Sequence, residues 1–112
     1  MARGAWTTAE ELARLLDIQR DALTEQIEEL RRTQDTSTPA GRATYLLCDY
    51  LITGSSKDAA SWANDMEWKA VSRRTGEPID YTAEEVLRLF KEPAEGVPRP
   101  LIALCRRLLR GK

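Results

Sequence analysis

Glu11-Leu12-Ala13-Arg14-Leu15-Leu16-Asp17-Ile18-Gln19-Arg20-Asp21-Ala22-Leu23-Thr24-Glu25-Gln26-Ile27-Glu28-Glu29-Leu30 is the stretch whose reading decides the fold. It permits one long amphipathic helix, or two short helices folded over a turn at Asp17–Ile18. A straight helix would carry the seam Leu12, Leu16, Leu23, Ile27, Leu30 and would need an apolar residue near position 19 or 20. Gln19 and Arg20 stand there instead. A break near Asp17 removes the conflict: Ile18 fills the corner, and a second helix turns Ala22, Leu23, Ile27 and Leu30 inward. Ala13 then falls where two helices cross closely. The bent reading is preferred, and the straight alternative would be half of a helical hairpin or coiled coil.

Upstream, Thr8-Ala9-Glu10-Glu11 is a capping box that starts the first helix, with Leu12, Leu15 and Leu16 on one face. Downstream, Thr33 to Gly41 reads as a polar loop with Pro39 and Gly41 as breakers. Arg42 to Ile52 begins with strand-like residues, while Leu46 to Ile52 fits a strand or a helix of about two turns equally well. Ser55 to Arg74 reads as a helix, capped by Ser55 or Ser56, with Asp58 at its positive end and Arg73 and Arg74 at its negative end. Its apolar stripe is Ala59, Trp62, Ala63, Met66 and Ala70, expected in the core. Trp68 lies off that stripe and is expected on a second contact surface. Thr82-Ala83-Glu84-Glu85 is a second capping box, with Tyr81 placed to staple against Val86 and Leu87 and Phe90 on the buried side. A linker with Pro93, Gly96 and Pro98 precedes a last helix. Pro100 suits its first turn, Leu101, Ile102, Leu104, Cys105, Leu108 and Leu109 form its apolar face, and Arg106, Arg107, Arg110 and Lys112 back it. That helix can pack on the domain, dimerise or dock elsewhere.

With 112 residues the chain is one domain, or one small domain with a tail, and 42% apolar residues suffice for a modest core, so self-association is plausible. Its 17 basic and 18 acidic residues give a net charge of −1, without the basic excess typical of nucleic-acid binders, so any such role needs local clustering of arginines. The absence of histidine removes the commonest general base and metal ligand. Cys48 and Cys105 sit among leucines and read as small buried apolar residues, although spacing alone leaves a disulfide open. No run is long enough to span a bilayer and no signal-peptide pattern opens the chain, so a soluble, cytoplasmic protein is expected. No phosphate-cradling glycine loop or C-x-x-C occurs. The pairs Glu10/Glu11, Glu28/Glu29 and Glu84/Glu85 are explained as caps and solubilising charges, and Asp58, Asp65 and Glu67 match no metal loop. The expectation is a protein with no cofactor, no metal and no catalytic activity.

In the bent reading, Leu12-Ala13, Leu16-Asp17-Ile18, Leu23, Ile27 and Leu30 resemble the two-helix core of winged helix-turn-helix proteins. Gly41-Arg42-Ala43-Thr44-Tyr45 stands where such proteins place the wing. The early position of the motif is similar to the MerR and excisionase group, and in particular to small terminase subunits of tailed phages. Tyr45 to Ile52, Trp68 to Glu77 (ending Arg73-Arg74-Thr75-Gly76-Glu77) and Thr82 to Phe90 follow in a similar order. Asp17 departs from the usual turn glycine, and Asp21, Glu25 and Glu28 place carboxylates where phosphates would have to pass.

The resemblance implies a mostly α fold: a helix-turn-helix over residues 1–54, with or without a small β wing, then a helical region over 55–112 that packs on it or mediates oligomerisation, ending in the amphipathic helix. It implies a small DNA-binding or DNA-packaging adaptor, with DNA met by Gln19, Arg20, Thr24, Arg31, Arg32 and Arg42. The alternative is a helical protein-interaction module, such as a phage or mobile-element factor that binds a host protein. It would use the acidic Asp21–Glu29 face or a surface including Trp62, Trp68, Arg106 and Arg107.

Overall fold

Thr38-Pro39-Ala40-Gly41 starts a helix. In the computed structural model, which describes residues 20–111, Thr38 is in extended conformation and its hydroxyl accepts from the Gly41 amide at 3.0 Å. Pro39 occupies the first turn, where its missing N–H costs nothing. The helix runs unbroken over Pro39–Thr53 and ends on Gly54 in the left-handed region. The expected loop through Gly41 and a wing at Gly41–Tyr45 are therefore corrected: both breakers belong to the helix's opening turn. Gly41 is there because a Cβ would overlap the Asp35 carbonyl. Asp35 itself closes the preceding turn, its carboxyl held below the usual value by the hydroxyl and amide of Ser37.

Five helices and one hairpin make up the described residues. They are α1 (Arg20–Arg32), α2 (Pro39–Thr53), α3 (Ser56–Asp65), β1 (Ala70–Val71), β2 (Pro78–Ile79), α4 (Ala83–Lys91) and α5 (Arg99–Arg110). The capping box at Thr8 and the turn at Asp17–Ile18 lie outside the described residues, and with them the arrangement of the helix-turn-helix.

The central element is α2. It packs against α1, α3, α4 and α5, and Ala43, Leu46, Leu47, Cys48 and Tyr50 are all buried along it. Leu23 and Ile27 of α1 reach it as their spacing predicts, and Leu30 packs at the edge. On the far side Val86 and Phe90 of α4 and Leu101, Leu104 and Cys105 of α5 complete the same cluster, with Tyr50 and Phe90 stacked at 5.6 Å. Core residues come from both sides of position 54, so the two halves of the chain share one core. Each fully buried side chain of this size contributes about 1.5–3 kcal/mol. The two cysteines are free and buried. The Cys105 thiol faces the Leu47 carbonyl at 3.8 Å.

The second capping box behaves as expected on one side: the Thr82 hydroxyl accepts from the Glu85 amide. The Glu85 carboxylate instead pairs with Arg88. The last helix also forms as read, from Arg99 with Pro100 in its first turn.

Residues 55–74 depart from expectation. Ser55 does cap α3, accepting from the Asp58 amide at 3.1 Å, but the helix stops at Asp65 instead of Arg74. The stop is a Schellman motif. The Trp68 amide bonds the Ala63 carbonyl at 2.9 Å, the Glu67 amide bonds Asn64 at 3.0 Å, and Glu67 takes a left-handed φ of 60°. Trp68 then packs on Ala63 and Leu46, the apolar contact that accompanies such an ending. Asn64 locks the corner from the other side, its side chain bonding both the carbonyl and the amide of Tyr81 at 2.9 and 2.8 Å. Beyond it the chain forms a short antiparallel hairpin, Ala70 opposite Ile79 and Val71 opposite Pro78, turned by Gly76. Two expectations invert as a result. Trp62 and Met66, placed in the core by helical spacing, are 39% and 47% exposed, whereas Trp68, placed on the surface, is 8% exposed.

Candidate functional site

Tyr45 of α2 and Trp62 of α3 lie flat against each other, ring centres 6.0 Å apart and planes within 12°. Trp68 meets Tyr45 edge-on at 5.5 Å. The pairing follows from the Schellman corner: ending α3 at Asp65 folds residue 68 back beneath the helix that carries residue 62. Two guanidinium groups close the cluster, Arg31 over the Tyr45 ring at 5.6 Å and Arg42 over the Trp68 ring at 5.7 Å. Arg31 also pairs with the carboxylate of Asp49 at 2.8 Å, at the seam of α1 and α2. The Arg42 Nε donates to the Thr36 carbonyl at 2.7 Å.

Beside Arg42 a groove of about 360 Å³ runs between the start of α2, the hairpin and α4. Its floor is Ala43, Ala70 and Leu89, and Tyr81, Glu85 and Arg88 form one wall. Burial raises the Tyr81 phenol above its usual pKa. The neighbouring Glu85 adds to the rise, and Arg42 opposes it. On α2 and α5, burial pushes the Cys48 thiol up to about 12 and raises that of Cys105 further. Neither sulfur is an available nucleophile.

Among the residues expected to meet DNA, the structure brings Arg31 and Arg42 to the same aromatic cluster. Arg32 is turned to Glu29 on its own helix. Thr24 is half-buried, Arg20 is the first residue of α1, and Gln19 lies outside the described residues. Glu25 and Glu28 are exposed on α1. Of the residues expected to meet a protein, Trp62 is exposed and joined to buried Trp68 through Tyr45. Arg106 and Arg107 stand on α5, with the Arg106 Nε donating to the Phe90 carbonyl at 3.1 Å. Reading the sequence missed Tyr45, Tyr81 and Glu85. Tyr45 carried a signal, since it lies on the polar edge of an otherwise apolar segment.

Among the described residues no cluster of histidine, cysteine or acidic side chains is arranged to hold a metal ion. None of their helices is long and apolar enough to cross a membrane. Compared with the models of known protein families, with curated proteins and with solved structures, the chain matches none.

Proposed function

We propose that the chain is a helical protein-interaction module that meets its partner through the outer face of α3. The observation that carries this reading is the Trp62 indole, more than a third exposed yet held flat on Tyr45, with Met66 exposed one turn further along. Trp, Tyr and Met are enriched at protein interfaces. A ring already fixed by stacking loses little conformational freedom on binding, which favours it as an energetic anchor. The proposal involves no catalytic step.

The charges on the other faces support it too. Arg31 and Arg32 are engaged by Asp49 and Glu29, and the outward side of α1 presents Glu25 and Glu28, a poor approach to a phosphate backbone. One observation favours the second reading, a DNA-binding or DNA-packaging adaptor: the hairpin turn carries exposed Arg73 and Arg74 side by side, although Arg73 is paired with Glu92.

A photo-crosslinking residue at position 62, expressed in the native host, is expected to yield a discrete adduct that Met66→Lys abolishes, with no adduct from the same residue at position 28. Absence of an adduct at 62, together with a DNA mobility shift that weakens steeply with salt and is lost on Arg73→Ala/Arg74→Ala, transfers the assignment to the second reading.

A further inference from the structure

The charges lining the groove beside α2 are matched with one exception. Arg88 is paired with Glu85, Lys69 with Asp80, and Glu92 with Arg73. Arg42, half-buried, has only a neutral carbonyl at its Nε and the face of Trp68. Among the described residues it is the one charge on the groove without an opposite charge in contact. A guanidinium partly withdrawn from water and left without a counter-charge is less well stabilised than a paired one, and an anion that enters supplies the missing partner. The group is also fixed. The bond from Nε to Thr36 ties down one edge and the Trp68 ring lies 5.7 Å from Cζ, which leaves the two Nη groups as the donors for an incoming acceptor. Tyr81 lines the same groove as Arg42. Pro39 and Ala43, from the first turns of α2, form part of the lining, so the positive end of the α2 dipole adds to the attraction.

The rest of the lining restricts which anion fits. With Glu85 and Glu92 paired to Arg88 and Arg73, Arg42 leaves a single uncompensated positive charge, which matches one carboxylate better than a multiply charged phosphate. Ala43, Ala70 and Leu89 offer an apolar floor, and the volume lies in the range of pockets for small organic ligands, about 300–1,000 Å³. We infer that this groove binds a small monocarboxylic acid, its carboxylate accepting from the Nη groups of Arg42 and from the Tyr81 hydroxyl, and its apolar body lying on Ala43, Ala70 and Leu89. This site is separate from the α3 face assigned to a partner protein and does not depend on that assignment.

The test is a titration of the full chain with hexanoate, hexanamide, acetate and inorganic phosphate, followed by amide and arginine-Nε NMR shifts. Hexanoate is expected to saturate a single site centred on Arg42, Ala43, Ala70 and Leu89, at least tenfold more tightly than hexanamide or acetate. Arg42→Gln should abolish that binding and Arg42→Lys should weaken it, while Arg106→Gln on α5 leaves it unchanged. Because the ligand comparison needs no variant, it stands even if the Arg42 substitutions destabilise the fold. Equal binding of acid and amide, non-saturating shifts spread over surface arginines, or phosphate binding as tight as hexanoate would each overturn the inference.

Discussion

Arg31 and Arg42 meet one aromatic cluster at nearly the same distance, 5.6 Å from the Tyr45 ring centre and 5.7 Å from that of Trp68. Their polar partners differ. At the α1–α2 seam Arg31 also meets the carboxylate of Asp49, so the positive charge is cancelled inside the protein. At the seam of α2 with the hairpin, Arg42 meets a carbonyl and an indole, and its charge remains. The first seam reads as a structural fastening and the second as a position prepared for something from outside. The ring contact alone does not separate these roles; the presence of the counter-charge does.

The comparison presumes a closed layer beneath both seams, and the largest expected effect tests that. Cys48 and Cys105 should react with a thiol reagent at neutral pH only through unfolding, about 10³-fold or more slower than in denaturant. Rapid labelling of the native chain would mean that α2 is not packed as described. The same burial sets a pH dependence. The folded-state pKa of Cys48 is raised from 9.0 to about 12, so its contribution to stability is complete below pH 9. It falls between about pH 9 and 12, where the unfolded thiol ionises and the folded one does not. Urea melts across that range, with a Cys48→Ala control, measure it.

Trp68→Ala should cost about 3–5 kcal/mol in urea unfolding, because it empties the second cluster and removes the platform under Arg42. Next come the two arginine seams. Asp49→Ala leaves the half-buried Arg31 without its charge partner and should cost about 1.5–3 kcal/mol, whereas Arg42→Gln should cost about 1 kcal/mol or less. Equal losses would erase the distinction drawn above. The smallest expected effect has the opposite sign. Glu67→Gly should add about 0.5–1 kcal/mol, since glycine adopts the left-handed φ without strain. Were residue 67 inside a continuous helix, the same change would be destabilising by a similar amount.

Where local chemistry and packing point the same way, the elements could be read from the chain. Thr82 and Ser55 cap the helices they were expected to cap, the spacing of Leu23 and Ile27 buries one side of α1, and the α5 leucines face inward as their pattern requires. Two places were hidden for identifiable reasons. Pro39 and Gly41 count as breakers in isolation, yet Pro is favoured in a first turn, and the crowding that demands Gly41 comes from the Asp35 backbone, which no pattern displays. At the end of α3 the apolar period runs on through Met66 to Ala70, so helical spacing conceals a left-handed residue at Glu67 that carries none of the usual glycine signal. The Thr75-Gly76 turn between Val71 and Ile79 was the available hint of a hairpin. The candidate site was less legible than the fold. Arg42 was singled out, but as a DNA contact on a wing, while Trp68 beneath it and Tyr81 and Glu85 in the same groove converge only once α3 has stopped early.

At the start of α2, the hydroxyl at 38 caps the helix, the ring at 39 suits its first turn, and the absent side chain at 41 leaves room for the Asp35 carbonyl. Of the three, the glycine is the one whose replacement by any side chain forces the backbone at residue 35 to move, so this corner tolerates change at 38 and 39 far better than at 41.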